Sequence, residues 1–109
     1  MEKRIKRIIE VLDSKKAENI EAIDLTGKQY MVDQVVIAST LNTKHAYSLA
    51  NYLKEELKPE GEEFFRVEEN DEWTILDLGD ILIHLMSEKY REIYKMEEFL
   101  EEIKAGKVQ

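Results

Sequence analysis

Apolar residues first recur along this chain at Ile5, Ile8, Ile9 and Leu12, the i, i+3, i+4, i+7 spacing of one helical stripe, with lysines and arginines on the other face. Beyond Ala17 the period shortens to two. Ile20, Ala22 and Asp24 alternate with Glu21, Ile23 and Leu25, which predicts a strand. Thr26-Gly27-Lys28 turns the chain, and "MVDQVVIAST" predicts a second strand, apolar enough at Val35, Val36 and Ile37 to lie inside a sheet. Asn42 or Thr43 then caps a helix with the stripe Ala46, Leu49, Ala50, Leu53 and Leu57, stopped by Lys58-Pro59-Glu60-Gly61. "EFFRVEE" predicts a short strand, charged at alternate positions as an edge strand is. Asn70-Asp71-Glu72 turns again. The run "WTILDLGDILIHLM", Trp73 to Met86, predicts two strands, and Ser87 caps a final helix with Ile93, Met96, Leu100 and Ile103 as its apolar seam.

The order α-β-β-α-β-β-β-α predicts one α/β domain over residues 1–109, a mixed five-stranded sheet with helices packed on it. Residues 101–109 are expected to form a frayed tail. The most informative stretch is the pair of strands around Gly79-Asp80. If those two residues are the hairpin loop, Asp77 pairs with Leu82, Ile75 with His84 and Trp73 with Met86. Strand alternation then gives two faces. One carries Thr74, Leu76, Leu78, Ile81, Ile83 and Leu85 and must lie under helices. The other carries Trp73, Ile75, Asp77, Leu82, His84 and Met86, apolar but for an indole, a carboxylate and an imidazole. Asp77 and His84 become diagonal neighbours, and three readings stay open: a mutually satisfied structural pair, an exposed binding face, or a catalytic pair. The last lacks a nucleophile at a strained elbow.

Composition narrows the choice. Twenty-four acidic residues against sixteen basic give a net charge of −8, a surface that repels nucleic-acid phosphate and favours a basic protein partner. A local basic patch is most plausible on the first helix. There is no cysteine, and His45 and His84 have no metal-ligand spacing, so no metal or cofactor is expected; Asp24 and Asp33 on neighbouring strands are the nearest approach to a cation site. The four glycines are isolated, so no loop cradles phosphate. No stretch approaches the roughly 18 apolar residues of a membrane span, and the charged N-terminus reads as a helix rather than a signal peptide, so the expected location is the cytoplasm.

The run from Trp73 to Leu100 resembles the ribosomal silencing factor family, also called Iojap-like proteins. The positions that carry the resemblance are Trp73, Asp77, Gly79, Asp80, His84, Arg91, Tyr94, Met96 and Glu97. It continues more weakly upstream, with Asp24, Gly27 and Asp33 in the strand pair and "TKHAYSLANYLKEEL" as the central helix, and covers residues 17–100. Where the family closes its last helix with tryptophan this chain has Leu100, which removes a potential anchor. The resemblance implies a nucleotidyltransferase-like fold. It implies a non-enzymatic protein that binds large-subunit ribosomal protein fourteen at the intersubunit face, blocks subunit joining and represses translation. The implied partner-binding residues are Trp73, Ile75, Asp77, His84, Met86, Arg91, Tyr94 and Glu97, with Gly79 and Asp80 as the structural turn. The alternatives are a nucleotidyltransferase-like enzyme using Asp24, Asp33 or Asp77 with Mg²⁺, for which the Gly-Ser motif is missing, and a homodimeric scaffold that uses the same apolar patch on itself.

Overall fold

A computed structural model describes residues 1–106. Its elements are α1 (Glu2–Ser14), β1 (Glu18–Asp24), β2 (Gln34–Ser39), α2 (Thr43–Leu57), a 3-10 turn (Lys58–Glu60), β3 (Arg66–Glu69), β4 (Trp73–Asp77), β5 (Ile81–Met86), α3 (Glu88–Tyr94) and α4 (Met96–Lys104). The strands form one mixed sheet in the order β1-β2-β5-β4-β3, with β2 and β5 parallel and the other pairs antiparallel. The sheet has the predicted number of strands, and β3 lies at an edge. The hairpin register also agrees, with Trp73 opposite Met86, Ile75 opposite His84 and Asp77 opposite Leu82.

Alternation along the strands sends Val36, Ala38, Leu76, Ile81, Ile83 and Leu85 to one face, where they pack with Ile8, Val11 and Leu12 of α1 and Leu49, Ala50, Leu53 and Leu57 of α2. The whole α2 stripe read from the sequence is buried. On α1, Val11 is buried while Ile9 is only half-buried, a slight roll of the same face. Asn42 caps α2 by accepting the His45 N–H at 2.8 Å. The His45 ring accepts the Leu41 N–H at Nδ1, so its Nε2–H donates to the Lys15 carbonyl at 2.9 Å and ties the α1–β1 connection to the start of α2. Pro59 and Gly61, with φ +103°, end the helix as the sequence predicts.

The C-terminal segment departs from expectation. Lys95 adopts a left-handed conformation, φ 48° and ψ 42°, and splits the predicted single helix into α3 and α4. The split changes the helical phase, so Ile93 leaves the seam and is 56% exposed, whereas Leu100 and Ile103 are buried. Residues 101–104 are helical rather than frayed because Ile103 anchors them; 107–109 of the expected tail lie outside the described residues.

Gly79 sits at the first central position of the β4–β5 turn with φ +91°, and a Cβ there would stand 3.1 Å from Cε2 of Phe65. Backbone strain and steric contact therefore oppose any side chain. Gly79→Ala should lose about 1–2 kcal/mol of stability, read as a lower urea midpoint at unchanged m-value. An unaltered midpoint would mean that the turn tolerates a side chain.

Candidate interaction surface

The second face of the sheet has less helix to cover it. Leu100 and Ile103 of α4 pack on Ile23, Leu25, Val35 and Ile37, over β1 and β2. Across β4 and part of β5 the cover thins, and Trp73, Ile75, Asp77 and Leu82 are only half-buried. A cleft of about 170 Å³ opens among Tyr30, Met31, Ile75, Leu82, His84 and Met96, with Arg66 also in its wall. Met31 is 73% exposed. Tyr30, Met31 and Arg66 are not among the residues the sequence singles out; Met31 is expected to open the second strand, but β2 begins only at Gln34 and leaves Tyr30 and Met31 in the loop before it.

The hairpin residues divide into two groups. The Trp73 ring meets Tyr94 edge to face, with centroids 5.7 Å apart at 86°, and Tyr94 stacks on Tyr90 at 6.2 Å. The Tyr94 hydroxyl bonds to Glu72. Trp73 also lines a second cleft, of about 180 Å³, with Thr40, Asn42, Asp71 and Tyr90. Met86 and His84, by contrast, are buried, so neither presents a surface for direct contact.

The Asp77–His84 hydrogen bond considered from the sequence does not form. Asp77 Oδ1 accepts the Gly79 N–H at 2.8 Å and shapes the turn, and the Nε2 of His84 has no partner. Asp80 is more than a turn residue, because its carboxylate takes two bonds from Arg4, at 2.6 and 3.0 Å. The same guanidinium holds Glu62, and Arg7 holds Glu56 and Glu60. The arginines of α1 are thus engaged by carboxylates, which argues against the basic patch considered there.

Arg91 is the main correction among the residues implied as partner-binding. It is buried, at 5% exposure, and bonds inward. Its Nη1 donates to the Asn19 carbonyl at 2.7 Å and to Ser39 Oγ at 2.8 Å. Its Nη2 meets Glu21 at 3.0 Å, and its Nε donates to Glu97 at 2.8 Å. The Ser39 hydroxyl in turn donates a hydrogen bond to Glu88, whose carboxyl is lowered by that bond and by Asn19. Glu21 is raised above the ordinary carboxylate range, chiefly by its hydrogen bond with Glu97, then by burial; Glu97 is lowered by Glu21 and then by Arg91. Two acids converge on one cation, so Glu97 is an internal tie as well as a surface group.

Asp77 is not brought to the other carboxylates named for a metal. Asp24 on β1 and Asp77 on β4 are separated by two intervening strands, about 14 Å at ordinary strand spacing. Asp24 caps a turn through the Thr26 N–H at 2.9 Å. Among the described residues no group of three or more His, Asp or Glu side chains is placed to hold a metal ion, and no helix is long and apolar enough to cross a membrane. Leu100, at the position of the family's tryptophan, is fully buried, so that position serves the core and not an exposed anchor.

With this geometry in view, comparison with known proteins is specific. The profile of the family described as "Ribosomal silencing factor during starvation" matches residues 1–109, beyond the 17–100 over which the motifs carry the resemblance. The ribosomal silencing factor RsfS of Haemophilus influenzae is 30% identical over 92 residues, 83% of this chain and 90% of that one. That of Zymomonas mobilis is 32% identical over 95 residues, 85% and 71% of the two chains. A mouse protein named mitochondrial assembly of ribosomal large subunit protein 1 is 29% identical over 98 residues, which span 85% of this chain and 43% of the mouse protein. A crystal structure of a Chromobacterium violaceum protein superposes with a TM-score of 0.82 at 27% identity, covering 91% of this chain and 85% of that one. One from Bacillus halodurans gives 0.79 at 26%, with 91% and 94% covered. The fold is therefore that of a known group of small α/β proteins. This chain belongs to the ribosomal silencing factor family.

His84 gives the surface a measurable pH signature. Burial, and secondarily the charge of Arg91, pushes its imidazole from 6.5 down to about 4. The unfolded chain takes up the proton near pH 6.5 while the folded chain resists until about 4. The stabilisation is thus complete above pH 6.5 and disappears as pH falls through that window, about 3 kcal/mol in all. Because Nε2 has no partner to lose, His84→Leu should remove this part of the acid slope. Urea unfolding of both proteins at pH 7, 5.5 and 4 measures it, and parallel pH profiles would contradict the assignment.

Proposed function

We propose that this protein represses translation by docking on the large ribosomal subunit through the half-open part of its second sheet face. It meets ribosomal protein fourteen at the intersubunit face and blocks subunit joining by its bulk. The observation that carries this reading is Trp73, half-buried on the sheet and held edge-on by the exposed Tyr94, with Ile75 and Leu82 on the same face. A large aromatic in an apolar setting with polar groups at its border is the composition of an interface centre. Asp77 stands at that border to meet a lysine or arginine. His84, Met86 and Arg91 support the surface from beneath, and Glu97 braces it. Family membership and the name of the mouse relative favour a large-subunit target. A net charge of −8 suits a basic ribosomal protein and disfavours direct RNA binding. Action by steric exclusion in the cytoplasm requires neither a catalytic group nor a cofactor.

Sucrose-gradient sedimentation of purified subunits tests the reading directly. The protein should travel with the large subunit and lower the fraction of joined ribosomes; joining unaffected by saturating protein would refute it. Trp73→Ala should weaken large-subunit binding by about 2 kcal/mol or more while the protein stays folded. Wild-type affinity should also fall as salt rises, because the attraction between acidic and basic surfaces is screened.

A further inference from the structure

The helix that carries Tyr94 is poorly anchored by apolar contacts. α3 has seven residues, too few to persist alone, and Arg91 is its one buried side chain. Ile93 and Tyr94 are exposed, and Tyr90 is half-buried. What fastens α3 to the sheet is polar. Arg91 reaches the carbonyl of Asn19 and the carboxylate of Glu21 on β1 and the hydroxyl of Ser39 at the end of β2. On the same side Glu88, one residue into α3, bonds to Asn19 and Ser39. A fourth Arg91 contact, Nε to Glu97, crosses the left-handed break at Lys95 and sets the angle between α3 and α4.

From this we infer that Arg91 is the positioning residue of the docking surface. It touches no partner; it locks α3 and the start of α4 onto the ends of β1 and β2, and so holds Tyr94 against Trp73 in the shape the partner meets. The inference rests on the docking reading above for its biological meaning, but its structural content can be measured in the isolated protein. The planar fork of arginine serves four acceptors from three nitrogens, an arrangement that a lysine ammonium cannot reproduce although it keeps the charge. Charge alone should therefore not suffice at this position.

Trp73 is the single tryptophan, so its emission reports on this contact without ambiguity. Arg91→Lys and, as a milder change, Glu97→Gln are compared with wild type well below their melting temperatures, where far-UV circular dichroism shows each to be folded. In Arg91→Lys the Trp73 emission should shift to the red and become more accessible to acrylamide, with Glu97→Gln moving in the same direction to a smaller extent. Large-subunit affinity of Arg91→Lys should fall about fivefold, the scale of one lost edge-to-face aromatic contact. Folded variants with wild-type emission and quenching overturn the inference, as does an altered Trp73 signal accompanied by undiminished binding. If the wild-type protein itself fails to sediment with large subunits, the docking reading falls. The fluorescence comparison still decides whether Arg91 positions Trp73.

Discussion

The structure depends on how much helix the chain can spread over a five-stranded sheet. Both faces of β2, β5 and β4 carry apolar side chains, so both need cover. α1 and α2 seal one face from Val36 across to Leu76. On the other, α4 offers Leu100 and Ile103, which pack over β1 and β2 and leave Leu82 of β5 only partly buried at the margin. A seven-residue α3 cannot close the remainder by hydrophobic contact, and the molecule holds it with a guanidinium. The half-buried Trp73 with its exposed neighbour Tyr94, and the buried cation, are consequences of the same shortage.

The buried polar groups bear this out. Arg91 has acceptors for its three nitrogens, which is the condition under which a charge can be removed from water without a large penalty. His84 lacks that provision at Nε2 and stays neutral instead. The Nε1 of Trp73 is likewise buried without a partner. Two unsatisfied nitrogens on one face of one hairpin are a cost that the opposite face, apart from the hydroxyl of Thr74, does not carry. Such concentrations of cost are found where a surface is shaped for something beyond its own stability.

Much of this was legible in the residues. Period-two alternation placed every side chain of the β4–β5 hairpin on its correct face, and the α2 stripe matched its buried set residue for residue. Those patterns are local and repeat over many positions. What escaped was tertiary. Nothing in "YREIYKMEEF" marks Lys95 as a helix break, because lysine is an ordinary helix former and left-handed only when the surroundings demand it. With the break unseen, Ile93 was assigned to a seam it does not join. The inward turn of Arg91 is equally hidden, since three of its four acceptors come from Asn19, Glu21 and Ser39, more than fifty residues upstream. The Asp77–His84 pair failed for a local reason: the Gly79 amide, two residues on, claims the carboxylate first.

The parallel pairing of β2 with β5 has a further consequence, for the order in which the chain can fold. β2 ends at Ser39 and its neighbour does not begin until Ile81. A chain emerging residue by residue can form the β1–β2 hairpin early, but the central seam of the sheet must wait until β5 has been made. Closing so long a loop is slow compared with joining neighbouring strands. The tie made by Arg91 is later still, because this residue comes after β5 and reaches back to β1 and the end of β2. A chain that stops short of Arg91 therefore has its sheet but lacks the fork that ties α3 to β1 and β2.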